Sequence, residues 1–72
     1  MKTYEAYSTY KNATNYTFKA DTMHAAAVMF ADRVHRDKDD VHFINGVGYG
    51  PNPARYYINA WGTIYVNEVE ND

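Results

Sequence analysis

Cysteine is absent from the chain. That excludes disulfide staples, thiolate zinc sites and cysteine nucleophiles. Serine occurs only at Ser8, in an alternating stretch with no nucleophile-elbow pattern. No apolar run approaches the roughly 20 residues that cross a bilayer. The opening residues Met1-Lys2-Thr3-Tyr4-Glu5 offer no apolar signal segment, so the expectation is a soluble cytoplasmic protein. Strong charge of either sign is also missing: the formal net charge is -2 and the pI about 5.8. A non-specific nucleic-acid binder needs a basic surface to release counterions, so this balance argues against direct nucleic-acid binding. It is also too mild for a charge mimic of DNA.

Glycine is scarce, and three of the 4 glycines fall in Gly46-Val47-Gly48-Tyr49-Gly50. This stretch superficially resembles a phosphate loop. A dinucleotide or P-loop fingerprint needs a strand before it and a helix opening after it. Here Pro51 and Pro53 follow, then another extended segment, and no Gly-Lys-Ser/Thr is present. The stretch reads as a flexible strand end, a mobile contact loop with Tyr49 at its tip.

Aromatics are what the chain has in abundance: 17% of its 72 residues, 8 of them tyrosine. One small domain, 1–72, buries a low fraction of its surface, so aromatic packing or self-association must supply stability. In Tyr16-Thr17-Phe18-Lys19-Ala20 the apolar residues alternate, the period of a half-buried strand. Asp21 then offers a helix cap. Met23, Ala26, Ala27, Phe30, Ala31 and Val34 follow at the spacing of one buried helical face, within a helix predicted from about Thr22 to Arg36. The three alanines on that face allow close approach to a sheet. Arg33, His35 and Arg36 suit the C-terminal end of its dipole. Thr3 to Tyr10 alternates as a first strand, with Tyr4, Ala6, Ser8 and Tyr10 inward and Thr3, Glu5, Tyr7 and Thr9 on the wet face. Lys11 to Asn15 reads as a hairpin turn, and its two Asn-x-Thr sequons as turn chemistry. Asp37 to Asp40 reads as a solvated loop and Val41 to Tyr49 as a strand weakened by glycine. Arg55 to Trp61 is predicted to alternate with Tyr56, Ile58 and Ala60 inward and Arg55, Tyr57, Asn59 and Trp61 outward. Thr63 to Val69 closes the set, Ile64 and Val66 inward and Thr63, Tyr65 and Asn67 outward, before an acidic end at 67–72 expected to fray. The predicted class is α+β, a single helix on one face of a small antiparallel sheet in the order β-β-α-β-β-β.

Candidates for chemistry are few. His24 and His35 lie eleven positions apart, too distant on a helix to share an ion. Asp32 and His35, with Asp39 or His42, could offer ligands, but such pairs are more often a solvated face. Glu68/Glu70 and Asp37/Asp39/Asp40 fall in a tail and a loop, where carboxylates are seldom buried enough for acid–base work. The reading is a non-enzymatic protein with no metal and no cofactor.

One helix leaves one sheet face open, and Tyr7, Tyr57, Trp61 and Tyr65 with Arg55 are the residues expected there. These are the types enriched at binding hot spots. Asp37, Asp39 and Asp40 are the expected acidic contacts for a basic partner. In its opening strand Lys2-Thr3-Tyr4, second strand Phe18-Lys19-Ala20, helix Thr22–Val34 and tyrosine-rich sheet, the first half of the chain resembles small phage-encoded inhibitors, specifically anti-CRISPR proteins of the type I class. The resemblance implies steric blockade of a host nucleoprotein complex, without catalysis; the expected partner is a host protein or such a complex, and no membrane is expected. The second half matches no family pattern. Two other readings stand beside it: a single-stranded nucleic-acid binder that stacks bases on those aromatics, with Lys19 and Arg55 at phosphates, and a homodimeric structural or regulatory protein.

Overall fold

Alternation along the chain becomes five strands. The computed structural model describes residues 1–9 and 14–69. Strands β1 (Lys2–Ser8) and β2 (Thr14–Ala20) form a hairpin, helix α1 (Met23–Arg33) follows, and a 3-10 turn at Lys38–Asp40 leads into β3 (Val41–Asn45), β4 (Ala54–Ile58) and β5 (Gly62–Val69). The strands make one antiparallel sheet in the order β2-β1-β5-β4-β3. The fold is α+β in the expected element order, with the 3-10 turn added.

The core lies between α1 and one face of this sheet. Tyr4, Ala6, Phe18, Ala20, Tyr56, Ile58, Ile64 and Val66 point into it from the strands, as their period of two requires. Ala26, Ala27, Phe30 and Ala31 point into it from the helix, and Met23 and Val34 complete the stripe at its margins. Ser8 is buried too, its hydroxyl donating to the Thr63 carbonyl at 3.3 Å. Burial, reinforced by nearby Tyr4, pushes the Tyr56 phenol above its ordinary pKa.

Both helix ends differ from expectation. Thr22, not Asp21, is the N-cap: its backbone is extended and its Oγ1 accepts the Ala25 N–H at 3.1 Å. Either side chain can cap, and the φ/ψ of Thr22 decides between them. The helix stops at Arg33, one turn before Arg36. His35 takes a left-handed φ of 63°, the Arg36 N–H donates to the Ala31 carbonyl at 2.8 Å and the His35 N–H to the Asp32 carbonyl at 3.1 Å. That pair of bonds is a Schellman closure, with His35 where glycine usually sits.

Further on, the strand expected over Val41–Tyr49 ends at Asn45 after a bulge between Phe43 and Asn45. Gly46, Gly48 and Gly50 all take positive φ, so the extended backbone cannot continue. The segment is a tied turn rather than a free loop. Gly48 N–H donates to the Asn52 carbonyl (2.8 Å), Glu68 N–H to the Gly48 carbonyl (2.7 Å) and Asn67 Nδ2 to the Gly50 carbonyl (2.9 Å). The turn thus occupies the flank of β5 that β4 has not yet reached. Asn67 to Val69, expected to fray, belong to β5 and pair with β1, while the rest of the acidic end lies outside the described residues. Tyr10 and most of the predicted hairpin turn also lie outside them.

Candidate functional site

The helix-free face of the sheet is built by the outward residues of its five strands. Cross-strand register places Asn15, Tyr7, Tyr65 and Arg55 in one row across β2, β1, β5 and β4. The Tyr7 and Tyr65 rings stack at 5.4 Å, and the Arg55 guanidinium lies over Tyr65 at 5.6 Å. Such aromatic and cation–π pairs hold side chains in fixed positions on a strand surface. Tyr57 projects beside them and is 42% exposed. Glu5 accepts from Asn15 Nδ2 at 2.9 Å, which fixes the far end of the row. Four of the expected contact residues, Tyr7, Arg55, Tyr57 and Tyr65, therefore come together on this face.

Trp61 does not join them there. β4 ends at Ile58, and the chain turns through Asn59 and Ala60, with Ala60 at φ 62° and the Trp61 N–H bonded to the Ile58 carbonyl at 3.0 Å. The turn breaks the alternation and sends the indole to the helix side. It meets Phe30 edge to face at 5.3 Å and packs against the core. Asn59, also expected outward on a strand, lies in the same turn and donates its N–H to the Asp40 carbonyl at 2.9 Å. Trp61 still lines, with Tyr57, Thr63 and Tyr65, an open cleft of about 440 Å³ at the end of the sheet.

The acidic segment is a built turn rather than a solvated loop. Asp37 caps it, its Oδ1 accepting the Lys38 N–H at 2.7 Å, while Asp40 Oδ2 accepts the Asp37 N–H at 3.1 Å in a reciprocal capping box. Asp40 also pairs with Arg36 at 3.1 Å. Two of the three expected acidic contacts are thus engaged within the chain, and Asp39 alone points to solvent without such a role.

The bond from the Asp37 backbone, with Arg36 and Asn59 nearby, holds the Asp40 carboxyl below its usual pKa against the opposing effect of desolvation. A depressed folded pKa contributes stability that is present above the unfolded value and lost as pH falls through the folded one. Thermal melts from pH 6 down through the carboxylate range, below about pH 4, are expected to lose this contribution. Asp40→Asn is expected to remove part of that acid-side loss. Identical acid limbs in wild type and Asp40→Asn would show that the capping box carries none of it.

Two features were not read from the sequence. One is the outer edge of the sheet at β3, where Phe43 and Ile44, with Val47 and Tyr49 beyond, leave large apolar side chains exposed. Phe43 rests its ring edge to face on Tyr56 at 5.4 Å. The bulge in this strand is a common way to blunt such an edge. The other is a cleft between β2 and α1. No group of three or more histidines, aspartates or glutamates comes together to hold a metal among the described residues, and none of the described helices is long and apolar enough to cross a membrane. No protein-family model, no curated protein and no solved structure matches the chain.

Proposed function

We propose that this chain is a non-catalytic binding protein of the phage-inhibitor kind, which acts by covering the surface of a host protein or nucleoprotein complex. The observation that carries this reading is the ordered row Tyr7–Tyr65–Arg55 with Tyr57 beside it, on a sheet face that no helix covers among the described residues. Rigid tyrosines lose little entropy on docking, and a stacked arginine adds a directional donor. Contact is made by the open face, with the Tyr57–Trp61–Tyr65 cleft receiving a side chain of the partner and Asp39 adding a charge at the rim.

The experiment is an affinity pull-down from a bacterial lysate, with and without nuclease, comparing wild type with Tyr57→Ala and Arg55→Glu. A nuclease-resistant, stoichiometric protein is expected with wild type and is expected to fall at least tenfold with either variant. Both substitutions are at exposed strand positions, so stability should move within about 0.5 kcal/mol. Recovery that vanishes with nuclease would transfer the face to single-stranded nucleic acid. Recovery that neither variant changes would move the contact off this face.

A further inference from the structure

Among the described residues β2 is an edge strand paired with β1 alone, and α1, which packs across the sheet face, contacts it. Between them runs a cleft of about 640 Å³. An antiparallel strand with one neighbour points every second N–H and C=O outward, so over Thr17–Lys19, the part of β2 that lines this cleft, the outward backbone groups have no strand partner among the described residues. Phe18 on the strand and Val28 and Met29 on the helix supply apolar lining. The charged lining residues are Lys19, Arg33, Arg36 and Lys38 against Asp32 and Asp37, four cations to two anions. The cleft is therefore net positive in a chain whose formal charge is -2.

Those cations are only partly used. Arg36 pairs with Asp40, which leaves its own Nε buried without a hydrogen-bond partner among the described residues. Arg33 lays its guanidinium over the Tyr16 and Phe18 rings at 5.3 and 5.5 Å, at the strand side of the cleft. Lys19, Arg33 and Lys38 hold no ion pair among the described residues. A strand edge, an apolar lining and unpaired cations along one channel match the requirements of β-strand addition.

The geometry points to a second binding site on this chain, in which an extended acidic peptide segment of a partner protein adds as a sixth strand along β2, between that strand and α1. Main-chain bonds to the β2 edge hold the segment. Its apolar side chains meet Phe18, Val28 and Met29, and its carboxylates meet Arg33 and Lys38. The site uses none of Tyr7, Tyr65, Arg55 and Tyr57 of the open face.

The test uses a fluorescein-labelled, end-capped heptapeptide, Glu-Val-Glu-Val-Glu-Val-Glu, titrated by anisotropy against the full chain. Two N-methylated versions block alternate amides, one in each phase. Binding is expected to weaken at least tenfold between low and high salt. It should be lost with methylation in one phase and retained in the other, because only one set of amides faces β2. Arg33→Met with Lys38→Met is expected to weaken it tenfold while circular dichroism stays unchanged, since the methionine stem still covers Tyr16. No binding at millimolar peptide, or equal tolerance of both methylation phases, would overturn the proposal. So would displacement of the peptide by oligo-dT as well as by unlabelled peptide. A concentration-dependent dimer dissociated by the peptide would also overturn it, by assigning the cleft to the acidic end of a second copy.

Discussion

Phe30→Ala is expected to remove a large share of the chain's folding stability at 25 °C. Phe30 has no exposed surface, and it is among the largest fully buried side chains of the chain. It meets Tyr16 edge to face at 5.5 Å on one side and Trp61 at 5.3 Å on the other. It therefore joins the helix to the β2 edge and to the turn between β4 and β5. Truncating such a residue costs about 3–5 kcal/mol, the lost transfer energy plus the cavity left behind. A domain of 72 residues has roughly 4–11 kcal/mol in total at the usual range per residue. The surrounding alanines cannot collapse into the space, because Ala26, Ala27 and Ala31 already have no exposed surface and no longer side chain to swing inward. The measurement is a urea titration followed by circular dichroism. With a slope of about 1 kcal/mol per molar for so small a chain, the midpoint should fall by several molar. Met29→Ala, one position away on the solvent side, should move it by about 0.5 M or less. A comparable shift for both would mean that the helix is not held through Phe30.

Trp61 belongs to the same cluster. Trp61→Ala is expected to destabilise the fold, though less than Phe30→Ala because the indole is only partly buried. The substitution is consequently a poor probe of binding, and Tyr57 and Arg55 serve better.

How far the sequence carries can be read from these same residues. Strand faces were legible in β1 and β5, because Tyr4 and Ala6 or Ile64 and Val66 alternate with polar neighbours and nothing local interrupts the period. The helical face was legible for the same reason. The fate of Trp61 was not. Extending the alternation of β4 through Asn59 and Ala60 assumes a strand, and the left-handed backbone of Ala60 has no sequence mark, since it falls on a residue other than glycine. His35 hides the end of the helix in the same way. The placement of β1 between β2 and β5 joins segments some 60 residues apart (Tyr7 pairs with Tyr65), and such pairing rests on the summed packing of the whole sheet rather than on any local pattern. The stacked Tyr7–Tyr65 row depends on that pairing. Its members could be assigned to a face from sequence, but not to one another.

Gly46→Ala is the second substitution with a large expected effect. Gly46 has φ +99°, outside the left-handed region near +50 to +70° that other residues tolerate. A Cβ there would fall on the Pro53 carbonyl oxygen and close to the Ala54 Cα. Both are backbone atoms, so no rotamer change can relieve the contact. Gly50 provides the control: its φ of +60° is within reach of an L residue, and a Cβ there meets nothing within 4 Å. Gly50→Ala should cost about 1 kcal/mol, and Gly46→Ala about 2 kcal/mol or more beyond that from strain and overlap. Gly48 should fall between them, since its Cβ would meet the flexible end of Met23. Urea midpoints in the order Gly50→Ala, Gly48→Ala, Gly46→Ala, highest first, are the expected result. Gly46 follows β3 directly and Pro53 precedes β4, so the overlap pushes apart the two strands that pair Asn45 with Arg55 and His42 with Tyr57. Gly46→Ala should therefore raise amide exchange throughout β3 and weaken capture of the open-face partner, although Gly46 itself touches neither. Gly50→Ala should leave both unchanged. If the two alanines acted alike, the turn would not be what sets the register of β3 against β4, and the positions of Arg55 and Tyr57 would have to be held by β5 alone.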